Sequence, residues 1–173
     1  MPDNDVGRPI VSIVSTGRMG AVVGPRLKTN GGRVTTPEGR SEASVARARA
    51  AGIEIVPLTA IGASDFIFSI VPPAVAVEIV QETGAVLHKG TNRPLYVDWN
   101  AVSPSRAKEV ENIISAAGGR FADCGIIGAP MPDEPGPLLI ASGSDALLLL
   151  PAKEVEFASR SLMRRTDQHL RSR

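Results

Sequence analysis

The residues of this chain best suited to chemistry stand near its start, in the stretch Ser15-Thr16-Gly17-Arg18-Met19-Gly20. An apolar run precedes the stretch and a helical pattern follows it. Such a turn lets an anion approach the backbone. A side chain at Gly17 would stand where a pyrophosphate must come, and the bare Cα at Gly20 lets helix and strand pack closely. The helix start adds unpaired N–H groups and a partial positive charge. The pattern is G-x-G-x-x-G with Ser15 in the place of the first glycine, a small side chain to which a tight turn can adapt. A glycine-bearing turn that binds nothing has the same composition. The position inside a strand–helix–strand unit favours dinucleotide binding, with Ser15, Thr16, Gly17, Arg18, Met19 and Gly20 as the contacting residues.

A second group lies about twenty residues on, in Thr36-Pro37-Glu38-Gly39-Arg40-Ser41. Glu38 in that place would hold the ribose hydroxyls of NAD. Arg40 and Ser41 would instead hold a 2′-phosphate, through guanidinium pairing and the free N–H groups of the helix that Ser41 caps. This local chemistry favours NADP, with NAD as the alternative. The plain reading is that Arg40 is solvated and Ser41 is only a cap. Elsewhere the signals are weaker. Cys124 has no suggested histidine partner and reads as a small buried hydrophobe. His88 and His169 lack metal-ligand spacing, so no metal is expected. Tyr96 has no lysine four positions on, against a short-chain dehydrogenase. No Gly-Lys-Ser/Thr is present for a P-loop. Arg164-Arg165 reads as a solvated end.

These residues need a scaffold, and the hydrophobic pattern supplies one. Residues 10–14 (IVSIV) read as a strand buried on both faces. A helix is expected over 19–30, with Pro25 predicting a kink or a short first segment. A short strand over 33–36 leads to a helix over 42–51 with Ser41 as N-cap. A minor strand is expected over 53–56 and a clear one over 65–71, ended by Pro72-Pro73. Residues 74–87 read as a helix and 94–99 as a strand. Ser103-Pro104 opens a further helix, stopped by Gly118-Gly119. Strands follow over 120–124 and 137–142. Strands alternating with helices predict an α/β fold of the Rossmann type, a doubly wound, mainly parallel sheet with the first strand central. The organisation expected is one dinucleotide-binding domain over 1–143 and an atypical, partly helical tail over 144–173.

The bulk composition agrees. The chain has 173 residues, 43% hydrophobic and 21% charged, enough for one domain with a sizeable core. Aromatics are only 3%, so the core must be aliphatic. A net charge of +1 gives no general pull toward nucleic acid or a membrane surface, and neither is expected as a partner. One cysteine excludes an internal disulfide. The apolar run at 66–77 is too short to span a bilayer and is broken by prolines. With no signal peptide read at the N-terminus, the expected location is the cytoplasm.

Together these residues resemble the NADP-binding domain of the 6-phosphogluconate dehydrogenase and β-hydroxyacid dehydrogenase superfamily, over about residues 10–143. Gly17-Arg18-Met19-Gly20 is similar to the latter part of the family turn, and Gly39-Arg40-Ser41 to its NADP-selecting loop. Ser69-Ile70-Val71-Pro72-Pro73 is similar to the loop lying along the cofactor. The resemblance therefore adds Val71 and Pro72 to the cofactor site. Val97-Asp98-Trp99-Asn100-Ala101-Val102-Ser103-Pro104 is similar to the loop near the nicotinamide, which adds Asn100 and Ala101. The segment 121–130 resembles the one that contacts substrate, implying Ile127, Gly128 and Ala129 there. Ile127 stands where the family often has serine, which puts the usual hydroxyacid in question. The resemblance implies hydride transfer between NADP(H) and a small hydroxy acid or related molecule. In the family a following helical domain supplies a catalytic lysine. Nothing after Gly143 matches that segment, so no catalytic residue is assigned and the chain reads as truncated. The alternatives are a non-catalytic NADP-binding module and a relic. A surface that a helical domain would cover predicts a homodimer or an aggregating monomer, with residues 147–150 of the tail covering part of it.

Overall fold

The structure, a computed structural model, describes residues 8–29, 31–100, 102–127 and 138–142. The elements run β1 (Ile10–Ile13), α1 (Arg18–Thr29), β2 (Arg33–Pro37), α2 (Glu42–Ala50), β3 (Glu54–Val56), β4 (Phe66–Ser69), α3 (Ala76–Leu87), β5 (Leu95–Asp98), α4 (Pro104–Ala116), β6 (Arg120–Ile127) and β7 (Leu138–Ser142). Short 3-10 turns at Leu58–Ala63 and Pro73–Val75 precede β4 and α3. The sheet order is β3-β2-β1-β4-β5-β6-β7. The first six strands pair parallel, and β7 pairs antiparallel with β6. This is the doubly wound fold, with β1 inside the sheet as expected. Chain order reverses between β1 and β4, and folds of this kind have their binding crevice at the carboxyl ends of the strands at that point.

Alternation along the strands builds two cores. Val11, Ile13, Phe68, Leu95, Val97 and Ala122 turn to one face and pack with Val23 and Leu27 of α1. Val14, Ile67, Tyr96 and Phe121 turn to the other and pack with Ile79 and Val80 of α3 and Val110 and Ile114 of α4. Both faces are covered, which is why the strands read as apolar runs and not as alternating ones. The few aromatics cluster: Phe68 stacks on Trp99 with ring centroids 4.5 Å apart.

The cap signals hold. Ser41 accepts from the Ser44 N–H, and Ser103 accepts from the Arg106 N–H with Pro104 at the first helical position. Four details depart from the sequence reading. Helix α1 runs through Pro25 as one element, so the proline does not shorten it. Residues 58–63, which carried no signal, form a 3-10 turn. The third helix starts as a 3-10 turn over Pro73–Val75, because two prolines cannot donate. Strand β6 extends to Ile127, three residues beyond the expected end, where β7 supplies a partner along its last five residues. The tail expected over 144–173 lies outside the described residues.

Candidate functional site

The first wall of the crevice is the turn between β1 and α1. The Gly17 N–H donates to the Ser15 carbonyl at 3.0 Å, and the Gly17 carbonyl accepts from Ala21, the first bond of α1. The N–H groups of the first helical turn therefore face the crevice without intrahelical partners. A Cβ at Gly17 would meet only the Ile70 carbonyl, at 4.0 Å. A Cβ at Gly20 would press on Ile13 Cγ2 and the Ser15 carbonyl, both at 3.3 Å. The two glycines thus have opposite surroundings. Space stands over Gly17, and tight contact lies beneath Gly20. Arg18 is exposed, and Met19 packs partly against the core.

Helix α2 holds this turn from the side. Ser44 is buried, and its hydroxyl accepts from the Thr16 N–H at 3.0 Å and lies 3.4 Å from Ser15 Oγ. Arg47 Nε donates to the Thr16 carbonyl at 3.1 Å, and Arg40 Nε donates to the Val14 carbonyl at 2.8 Å. Ser15, the departure from glycine, is thereby held by a hydroxyl partner. Sequence reading missed Ser44 and Arg47. Their signal was present as Ser41, Ser44, Arg47 and Ala48 on one helical face of an otherwise polar helix. Gly39 adopts φ 78°, a left-handed turn that favours glycine and sets Arg40 back toward β1. Glu38 is exposed at the tip of this loop.

The opposite wall joins the loops after β4 and β5. Asn100 is buried there, and its Oδ1 accepts from the Val71 N–H at 2.7 Å. Its Nδ2 donates to Ser69 Oγ at 3.0 Å and also to Asp98 Oδ1. Asp98 Oδ1 further accepts from the Asn100 N–H at 3.1 Å. The carboxamide thus fixes Val71 and Pro72 at the crevice edge, with both amide hydrogens engaged inside the protein. Ile127 is the last residue of β6, while Ala101, Gly128 and Ala129 lie outside the described residues.

The other chemistry-bearing residues fall elsewhere. Cys124 is buried, and burial pushes its thiol up to about 12, as suits an inert core residue. Tyr96 is core, its phenol raised by burial. Among the described residues no group of histidine, cysteine, aspartate or glutamate could hold a metal ion, and no helix is long and apolar enough to cross a membrane.

Residues 10–155 match the family described as the NAD binding domain of 6-phosphogluconate dehydrogenase. The chain belongs to this family. Solved structures agree on the fold of this NAD-binding domain. One is a conserved protein of unknown function described as structurally similar to 3-hydroxyacid dehydrogenases, 27% identical over 84% of this chain and 54% of its own, TM-score 0.75. Another is a Mycobacterium tuberculosis 3-hydroxyisobutyrate dehydrogenase, 18% identical over 86% of this chain and 51% of its own, TM-score 0.74. A third is a Myxococcus stipitatus imine reductase in complex with NADP+, 23% identical over 85% of this chain and 52% of its own, TM-score 0.68. The chain spans about half the length of the solved structures it matches. Among curated proteins there is no match.

Asp98 makes stability of this NAD-binding domain pH-dependent. Burial, opposed by the Asn100 backbone hydrogen bond and reinforced by the charge of Asp123, raises its carboxyl from 3.8 to about 6. A folded value above the unfolded one means that the ionised form opposes folding. Stability is therefore expected to rise by about 2 kcal/mol as pH falls from 7.5 toward 4.5, through the window between those two values. Glu54, lowered mainly by its hydrogen bond to Arg33, works in the opposite sense, but that pair is half exposed and contributes little. Denaturant titrations at several pH values test this. A wild-type slope that persists in Asp98→Asn would contradict it.

Proposed function

We propose that this chain is the cofactor-binding part of an oxidoreductase, and that its cofactor is NADP(H) in preference to NAD(H). The observation that carries the reading is the junction of β2 and α2. There Arg40 and the N-terminus of α2, capped by Ser41, adjoin the phosphate turn through Val14 and Thr16. The crevice fits a dinucleotide, because the space over Gly17 is open to a pyrophosphate. Thr16 to Gly20 would hold the two phosphates, and Ser41 with Arg40 a 2′-phosphate. Val71 and Pro72, fixed by Asn100, would line the path toward the nicotinamide.

A bound dinucleotide supplies hydride at its nicotinamide. The protein's own part is to orient the ring and shield it from water. A small hydroxy acid, or a related carbonyl or imine compound, is the substrate class we infer, with Ile127, Gly128 and Ala129 beside it. A general acid/base must also stand within hydrogen-bond reach of the reacting atom. Lys28 donates to the Gly52 carbonyl beyond the end of α1, at the other edge of the sheet, and Lys108 pairs with Glu111 on an exposed face. From the described residues alone we expect cofactor binding with little turnover. Exposed Glu38 supports the second reading, NAD(H) held through its ribose hydroxyls.

The test is Arg40→Ala, titrated with NADPH and NADH. Loss of a charge-assisted contact to the 2′-phosphate is expected to weaken NADPH by roughly ten- to hundredfold, or about 1.5–3 kcal/mol. NADH binding is expected to change by less than about threefold on this reading. Equal affinities in the wild type, or equal losses in the variant, would overturn the NADP assignment and favour Glu38.

A further inference from the structure

Arg40 is not a free cation. Its side chain is only 13% exposed, and while Nε donates to the Val14 carbonyl, Nη2 lies 2.8 Å from Glu82 Oε2 of α3. Glu82 comes from α3, on the other side of the switch point, so the pair ties the loop between β2 and α2 to α3. The contact is close but poorly made. Oε2 is shielded from solvent, yet it meets the guanidinium without hydrogen-bond alignment. A buried carboxylate oxygen satisfied by charge alone is a partner that a better acceptor can displace. Glu82 also has somewhere to go. It lines a cavity of about 650 Å³ that Thr59, Val86 and Lys89 border as well, so an ammonium stands on the same groove.

We propose that Glu82 is a specificity-determining residue that competes with the cofactor's 2′-phosphate for Arg40. The proposal rests on the NADP reading above and deepens it. With NADH the pair stays closed, since a ribose hydroxyl has no charge with which to displace a carboxylate. With NADPH the phosphate brings near-dianionic charge and several acceptor oxygens, and it also draws on the N-terminus of α2. Arg40 passes from carboxylate to phosphate, keeping its Nε bond to Val14, and Glu82 turns into the groove toward Lys89. Every NADPH bound therefore displaces one ion pair, and Glu82 sets how strongly the site prefers NADPH over NADH.

The experiment measures dissociation constants for NADPH and NADH with the wild type and Glu82→Gln, with thermal unfolding as the folding control. The glutamine keeps the shape and removes the competing charge. NADPH is expected to bind at least fivefold tighter to the variant, with NADH within twofold, so the preference ratio rises. Where the glutamine variant does not fold, Glu82→Ser gives the same readout, because its short side chain cannot reach Arg40. An unchanged or lowered ratio, with binding intact, overturns this proposal alone. Binding of neither dinucleotide by wild type and variant overturns the cofactor reading and this proposal with it.

Discussion

Gly17→Val is expected to lower affinity for NADPH and NADH alike by at least about a hundredfold, or roughly 3 kcal/mol, while the protein stays folded. The fold tolerates the change because the backbone at Gly17 is not left-handed, and the nearest atom to an added Cβ is the Ile70 carbonyl at 4.0 Å. Binding does not tolerate it, because the added methyls fill the space that a pyrophosphate needs against the helix N-terminus. Gly24→Val on the same helix serves as the contrast. There an added Cβ would fall 2.5 Å from Ile53 Cδ1, so the expected loss is of stability, about 1–3 kcal/mol, and not of cofactor affinity in the protein that remains folded. Calorimetry with each dinucleotide and thermal unfolding of both variants separate the two effects. A Gly17→Val protein that binds like the wild type would mean that the crevice is not the cofactor site.

Asn100→Ala is expected to be the most destabilising single truncation at the site. It removes the acceptor of the Val71 N–H and the donor to Ser69 Oγ, and it leaves Asp98 Oδ1 with one partner fewer. Buried groups left unpaired cost about 1–3 kcal/mol each, so a total near 3 kcal/mol is expected, with some of it recovered by relaxation. For a chain of this length that lowers Tm by about 6–12 °C. The loops carrying Val71 and Pro72 would also lose their fixed distance, so the variant should bind either dinucleotide less well even well below its Tm. Asn100→Asp keeps the acceptor for Val71 but puts a second carboxylate beside Asp98, so its loss of stability should shrink as pH is lowered toward 5. An alanine variant as stable as the wild type would show that the network does not hold the loops.

Much of this was legible in the residues. The run at β1, Gly17 and Gly20, the caps Ser41 and Ser103 and the alternation of strands and helices each act locally, through one backbone turn or one hydrophobic stripe, and local causes leave local patterns. What escaped was made by contacts between residues far apart in the chain. Ser12, buried in β1, bonds Thr35 and Ser64 side chains at 2.7 Å, a polar joint under an apolar-looking strand. Asn100, read as a residue of the cofactor site, also holds Val71, Ser69 and Asp98. Arg40, read as phosphate-facing or else solvated, is tied to Val14 and to Glu82, 42 positions away. Apart from Asp98, two residues from Asn100, each partner is set by which strands and helices the sheet order places side by side, and no short window of sequence contains both halves.

The central claim, that a nicotinamide dinucleotide binds at the carboxyl edge of this sheet, is tested most directly by titration calorimetry of the wild-type chain with NADPH. The account predicts saturable binding at one dinucleotide per chain, competed by NADH only at higher concentration, and lost in Gly17→Val. Absence of saturable binding of either dinucleotide by folded wild-type protein would contradict it.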